Sequence, residues 1–328
     1  MKYKAYLIEE NDGSYYGSIK ELEMADVQSE NVIIKVHYSS LNYKDALAAT
    51  GVKGVVSSYP FVPGIDVAGE ILKSSNENFK IGDKVIVTGY KLGMSVYGGF
   101  GQLVQVPEKW VIPLPNNLSL LNSMSLGTAG LTAGACVKKI LDAGPSLNNP
   151  ILVSGATGGV GSVAVNLLSK LGFEVSAITG KPNETEILKK MGASEIIDRH
   201  KFMADPVKPL DKAIYSAGVD TVGGDILSKM LSMISSHGSV ACCGNVGGMK
   251  FTSSVFPFIL RGVSLIGIDS AESDIDFKKQ IWSLFSENWS LNLDDYSKVV
   301  NLADIENEIK AILNGEQIGR VVIKHGDL

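Results

Sequence analysis

Residues Ile151–Gly161 read ILVSGATGGVG, an apolar run passing into Gly155, Gly158, Gly159 and Gly161 ahead of the apolar-periodic stretch Val160–Leu171. A strand, a glycine-rich turn and a helix in that order make the phosphate-binding start of a βαβ unit. Glycines there tolerate positive φ and let a pyrophosphate approach the backbone, while the helix N-terminus offers free N–H groups and a favourable dipole. The glycine spacing departs from G-x-G-x-x-G, and the plain alternative is a βα turn with no ligand. Downstream, Glu174–Thr179 predicts the second strand, Asn183–Met191 a helix, and Glu195–Ile197, Lys212–Tyr215, Ser239–Cys243 and Leu265–Ile268 further strands. This alternation predicts an α/β domain built on a doubly wound parallel sheet. Asp274–Asn288 and Ala303–Asn314 read as amphipathic helices, and Arg320–Lys324 as a last strand.

Upstream the texture differs. Ala5–Glu9, Val32–Tyr38, Val67–Lys73, Lys84–Thr88 and Gln102–Val106 are short β-branched runs separated by turn residues, which predicts a mostly β domain. The chain has 328 residues, 45% apolar and 20% charged, so two domains with buried cores are expected and disorder is not. Thirty Lys and Arg against 35 Asp and Glu leave a formal charge of −5, which offers no global attraction to nucleic acid or anionic lipid. Glu9, Glu10 and Asp12 stand where a secretory signal needs its apolar stretch, so a cytoplasmic protein is expected. Three cysteines, Cys136, Cys242 and Cys243, make no disulfide framework, which fits a reducing compartment. Trp110–Val137 carries no charge, yet Pro113, Pro115, Asn116, Asn117 and several glycines interrupt it, and it reads as a buried soluble segment.

Cofactor choice is read at the end of the second strand. An NAD site usually places an acid about 20 residues beyond the turn to hold the ribose hydroxyls. Here Thr179-Gly180-Lys181 supplies a cation and no acid, which favours NADP over NAD. Arg199, after the third strand, is a second candidate for the phosphate, with a solvated surface arginine as its alternative. His37, His200, His237 and His325 have no metal-ligand spacing, and no CxxC, HExxH or GxSxG occurs, so neither a metal site nor a serine hydrolase is expected. Cys242 and Cys243 end a predicted strand and read as small apolar residues.

Six segments, in order along nearly the whole chain, carry a resemblance: SSLNYKDALAATG (Ser39–Gly51), PGIDVAGEI (Pro63–Ile71), GTAGLTAGACV (Gly127–Val137), SGATGGVGSVAVNLLSKLG (Ser154–Gly172), DTVGG (Asp220–Gly224) and PFILRGVSLIGIDS (Pro257–Ser270). The chain resembles the medium-chain dehydrogenase/reductase superfamily, and within it the zinc-free branch of quinone oxidoreductases and acryloyl-CoA reductases. The resemblance implies a GroES-like substrate domain over 1–122 and an NADP-binding Rossmann domain over 123–262. Residues 263–328 would end the Rossmann domain and return to the first, and a homodimer or larger homo-oligomer is implied. Metal-dependent members place histidine and glutamate where this chain has Ile65 and Asp66, and they bind a second zinc with four clustered cysteines. Neither zinc site is expected here.

The activity implied is NADPH-dependent reduction of the C=C bond of a small α,β-unsaturated acyl thioester, acryloyl-CoA to propionyl-CoA. Reduction of a quinone or free enone, and NADPH sensing without turnover, are the alternatives. Such a reduction places negative charge on a carbonyl oxygen and needs a proton donor. The resemblance points to Tyr43, since a phenol keeps its proton at neutral pH; the other reading is a core tyrosine with a satisfied hydroxyl. Asn42 is implied as orienting the nicotinamide ribose or substrate, or as only capping the next helix. By similarity the pyrophosphate falls on Thr157, Gly158, Gly159 and Val160, and the adenosine phosphate on Thr179, Gly180, Lys181 and Arg199. Asn245, Ile259 and Ser270 fall toward the nicotinamide, which Tyr43 also meets. The family's Ser-Gly-Arg at the second strand is Thr-Gly-Lys here, which keeps the charge and loses the guanidinium fork, so weaker NADP discrimination is implied. Asn245 stands where the family has leucine. A CoA substrate further implies cations at the site, with Lys44 and Arg261 as candidates.

Overall fold

The computed structural model describes residues 1–75 and 77–326 and divides into two units, Met1–Thr128 with Ala271–Leu328, and Ala129–Ser270. The first unit opens with an antiparallel hairpin of β1 (Lys2–Asn11) and β2 (Ser14–Glu23). Its two-residue loop, Asp12-Gly13, has positive φ at both positions, the twist that matches flanking strands best. Then follow β3 (Asn31–Ser40), α1 (Tyr43–Ala49), β4 (Asp66–Ser74), β5 (Lys84–Thr88), β6 (Leu103–Pro107) and β7 (Ile112–Pro113). The helical stretch α2 (Leu120–Asp142) is broken at Gly127 (φ 52, ψ −155), inside the charge-free run. Among the described residues no helix is long and apolar enough to cross a membrane.

The second unit contains β8 (Ile151–Val153), α3 (Gly159–Lys170), β9 (Val175–Thr179), α4 (Thr185–Lys190), β10 (Glu195–Asp198) and α5 (Arg199–Phe202). It continues with β11 (Tyr215–Asp220), α6 (Gly224–Met233), β12 (Ile234–Cys242), α7 (Phe256–Arg261) and β13 (Ser264–Gly267). All six strands run parallel in the order β10-β9-β8-β11-β12-β13. In sequence rank this is 3-2-1-4-5-6, the doubly wound order of the Rossmann fold, whose crevice lies at the carboxyl ends of the strands where the order reverses. Two strand expectations need correction. The strand placed at Lys212–Tyr215 runs over Tyr215–Asp220, and β12 begins at Ile234 instead of Ser239. The fourth strand is read late because Ser216, Ala217 and Gly218 carry little apolar signal. They are small because β11 is central and wholly buried: a Cβ on Gly218 would stand 2.9 Å from the Met230 methyl of α6.

The chain returns to the first unit through α8 (Ile275–Ser286), β14 (Ser297–Asn301), α9 (Ile305–Leu313) and β15 (Arg320–Lys324). These strands complete a seven-stranded sheet in the order β14-β15-β3-β4-β5-β7, with β6 on β3. This mostly β, GroES-like unit buries two apolar clusters, one around Val32, Ile34, Val67, Val85 and Val104, the other around Tyr6, Ile8, Ile33, Phe100, Ile305 and Ile323. Alternation along β3, with Ile33 in one cluster and Val32 and Ile34 in the other, is the period-2 signature of a strand buried on both faces.

Candidate functional site

In the second unit the turn between β8 and α3 is shaped by close contacts that only glycines permit. Gly155 has φ +60, and a Cβ there would lie 2.3 Å from the Thr221 hydroxyl; a Cβ on Gly161 would lie 2.2 Å from the Gly155 carbonyl oxygen. Gly158 is the N-cap of α3, so the N–H groups of Gly159, Val160 and Gly161 open the helix without intrahelical acceptors. Thr157 is buried behind them. Asp220, fully buried at the carboxyl end of β11, braces the turn: it accepts the Ser154 hydroxyl at 2.7 Å, the Val222 N–H at 3.2 Å and the Gly223 N–H at 2.9 Å. The Thr221 hydroxyl closes the bracing by donating to the Ser154 carbonyl at 2.9 Å. Sequence reasoning quoted Asp220 within DTVGG and gave it no role; an acid at a strand end, followed by Gly-Gly, was the available signal.

Thr179, Gly180, Lys181 and Arg199 come together at the end of β9. The Lys181 N–H donates to the Thr179 hydroxyl at 3.0 Å, and that hydroxyl lies 3.2 Å from the Thr157 hydroxyl. Strand register pairs Asp198 with Thr179, so Arg199 follows beside Gly180, and its guanidinium lies where a Gly180 side chain would be. No acidic side chain occurs at 179–181. A dinucleotide with a 2′-phosphate fits this cradle: glycines and opening N–H groups at the turn, two cations at the second strand end. Asn245 is brought toward the turn, since its loop bonds through the Gly247 N–H to the Val222 carbonyl at 2.7 Å. Ile259 lies on α7, 69% exposed, and Ser270 is buried with its hydroxyl 2.6 Å from that of Thr132. Arg261 is not a substrate cation: Nη1 donates to the Ser232 and Ile234 carbonyls at 2.9 and 3.0 Å, and Nη2 to the Asp211 carbonyl. Cys242 donates to Asp220 at 3.5 Å, and burial together with that carboxylate pushes its thiol up to about 12, so it stays unreactive.

In the first unit, Asn42 is the N-cap of α1 and is buried, whereas Tyr43, the next residue, is 42% exposed; the core-tyrosine reading is set aside. Asn42 does more than cap. Its amide nitrogen donates to Asp66 at 2.7 Å and to the Ser40 carbonyl at 3.3 Å, and its side chain also closes a capping box with Asp45. Asp66 is wholly buried and also accepts the Ser40 hydroxyl at 2.5 Å and, from Thr128, the N–H at 2.9 Å and the hydroxyl at 2.5 Å. Arg320 donates from Nη2 to the same Ser40 hydroxyl at 3.0 Å, and from Nε and Nη1 to the Ser125 and Leu41 carbonyls at 3.2 and 3.3 Å. Burial lowers its pKa, and the charges of Asp66 and Asp45 oppose that. Asp45 accepts the Asn42 N–H at 2.8 Å and the Ile65 N–H at 2.9 Å; burial, then repulsion from Asp66, pushes it up to about 7. Asp45 and Arg320 were absent from the sequence-based candidates. Lys44 is half-buried on α1. Among the described residues no group of three or more His, Cys, Asp or Glu is placed to hold a metal ion.

Comparison with known proteins adds relatives to this geometry. The family model described as the alcohol dehydrogenase GroES-like domain matches residues 28–116, and that described as zinc-binding dehydrogenase matches residues 159–287. YhfP of Bacillus subtilis, provisionally named a quinone oxidoreductase, is 40% identical over 325 residues, 98% of each chain. Its crystal structure with NAD bound is similar at a TM-score of 0.95 over 99% of each chain. The acrylyl-CoA reductase AcuI of Ruegeria pomeroyi is 38% identical over 317 residues, 96% of each chain. The yhdH oxidoreductase of Salmonella enterica, crystallised with NADP, is 37% identical with a TM-score of 0.94 over 99% of each chain.

Proposed function

The chain belongs to the medium-chain dehydrogenase/reductase superfamily, and from that premise we propose that it reduces the C=C bond of a small α,β-unsaturated acyl thioester, acryloyl-CoA to propionyl-CoA, with NADPH in the cytoplasm. The likeness that carries this reading is the nearly full-length one to a protein named acrylyl-CoA reductase. NADPH supplies the hydride when bound; the remaining work falls to residues of this chain. Thr157, Gly158, Gly159 and Val160 hold the pyrophosphate on the opening turn of α3. Arg199 and Lys181 take the 2′-phosphate, and Asn245, Ile259 and Ser270 serve the nicotinamide end. The Tyr43 hydroxyl, open at the first position of α1, stabilises the charge that develops on the thioester oxygen and supplies the proton that completes the reduction, regaining it from solvent. Asn42, its amide nitrogen fixed by Asp66, orients ribose or substrate. The reading needs no metal: the alkyl side chain of Ile65 stands at the ligand position of metal-dependent members, and Asp66 beside it is committed to Ser40, Asn42 and Thr128.

A second reading, reduction of a quinone or free enone, is favoured by the provisional name of the Bacillus subtilis relative. The two are separated by incubating the full chain with NADPH and either acryloyl-CoA or a benzoquinone and identifying products by mass spectrometry. Propionyl-CoA formation supports the first; unchanged acryloyl-CoA beside rapid quinone reduction selects the second. We further propose a homodimer. The edge strand β13 and the exposed apolar side chains Val255, Phe256 and Leu260 at α7 are the face a second copy would cover.

A further inference from the structure

We infer that Gly180 is a specificity-determining residue, acting by leaving the space in which the Arg199 guanidinium is held for the 2′-phosphate. The inference rests on the NADPH reading above. Gly180 does not need to be glycine for its backbone, because its φ lies outside the left-handed region. What a side chain there would meet is Arg199: a Cβ on Gly180 would stand 2.9 Å from its Cζ, 3.1 Å from Nη2 and 3.2 Å from Nη1. Three observations fix this contact. The pairing of Asp198 with Thr179 delivers Arg199 beside Gly180. The Asp198 carboxylate caps α5 by accepting the His200 and Lys201 N–H groups at 2.7 and 3.0 Å, which sets the direction in which the arginine leaves. On the other side, the Thr179 hydroxyl holds the Lys181 N–H and meets the Thr157 hydroxyl, tying the Gly180 loop to the pyrophosphate turn. A bare peptide at Gly180 leaves the planar fork room beside the strand end, where it can meet a phosphate with both nitrogens.

All three nearest atoms belong to one flexible side chain, so Gly180→Ala displaces the guanidinium and leaves the backbone in place. The test is calorimetric titration of the full chain with 2′,5′-ADP and with 5′-AMP, which differ by the 2′-phosphate. Wild type, Gly180→Ala, Arg199→Ala and the double variant are compared. The expected result is a wild-type preference for 2′,5′-ADP that falls about tenfold or more in either single variant. In the double variant it falls no further, because both changes remove one contact. Wild-type preference in Gly180→Ala, additive losses in the double variant, or an unaffected Arg199→Ala each overturns the inference while leaving the NADPH reading standing. No preference in wild type overturns that reading and the inference together. If Gly180→Ala folds poorly, adding Arg199→Ala must restore folding, since the clashing group is gone; failure to restore it also overturns the inference.

Discussion

Tyr43 and Asn42 are adjacent in sequence and opposite in circumstance, one exposed, the other buried and held by Asp66. That division predicts separable effects. Tyr43→Phe removes the proposed donor without touching the dinucleotide turn, so kcat should fall about 100-fold or more while the Kd for NADPH holds. Steady-state kinetics with parallel fluorescence titration checks both. Beneath the pair, Asp45 is pushed up to about 7 from an ordinary value of 3.8. The folded state therefore keeps a proton that the unfolded state has lost. The stability Asp45 contributes is full below about pH 4 and drains away as pH rises through 7. In Asp45→Asn that drain is absent, so stability relative to wild type should improve with pH across this window, by at most about 1.4 kcal/mol per pH unit. Denaturant melts from pH 4 to 8 measure it. His325 works the other way: burial pushes it down to about 4, so its contribution is present above about pH 6.5 and is lost on acidification. Between these values the two slopes oppose each other in the wild type. The surroundings of Asp45 and Asp66 were not legible in the sequence, because α1, β4 and Arg320 are brought together only by strand pairing of β3 with β4 and, nearly 280 positions away, with β15.

The turn between β8 and α3 was the most legible element, since its signal is local: an apolar strand, glycines at fixed offsets, a periodic helix. Gly161→Ala tests whether its shape is as tight as the 2.2 Å approach to the Gly155 carbonyl implies. The variant should lose dinucleotide affinity by about tenfold or more and be destabilised by about 1–3 kcal/mol. Titration with NADPH and thermal melting read the two losses. β2 was missed although Asp12-Gly13 is a strong hairpin signal, because exposed β2 lacks an apolar alternation to flank it. β11 was read late for the opposite reason: a central strand packed against a helix uses small residues, which carry no pattern. Arg261 misled because a cation in a recognised segment reads as a ligand. Its three backbone acceptors come from the end of α6, the start of β12 and the segment ahead of β11, which no spacing rule reveals.

The chain's net charge of −5 gives an anionic substrate no long-range welcome, so recognition of a CoA ester must come from local cations; with Arg261 committed, Lys44 is the remaining named candidate. Assembly is tested separately. Sedimentation should give twice the chain mass, and Leu260→Asp should shift it to the single chain if the β13 and α7 face is the covered one. A mostly β part followed by a parallel α/β part was legible in the change of texture along the sequence, whereas the strand order came only with the structure, and substrate identity was not legible, since one fold hosts many chemistries. The most direct measurement is kcat/KM for acryloyl-CoA with NADPH and, in parallel, with NADH. The expected result is turnover to propionyl-CoA favouring NADPH by about tenfold or more. Tight NADPH binding with no oxidation by acryloyl-CoA, alongside turnover of a quinone, would contradict it.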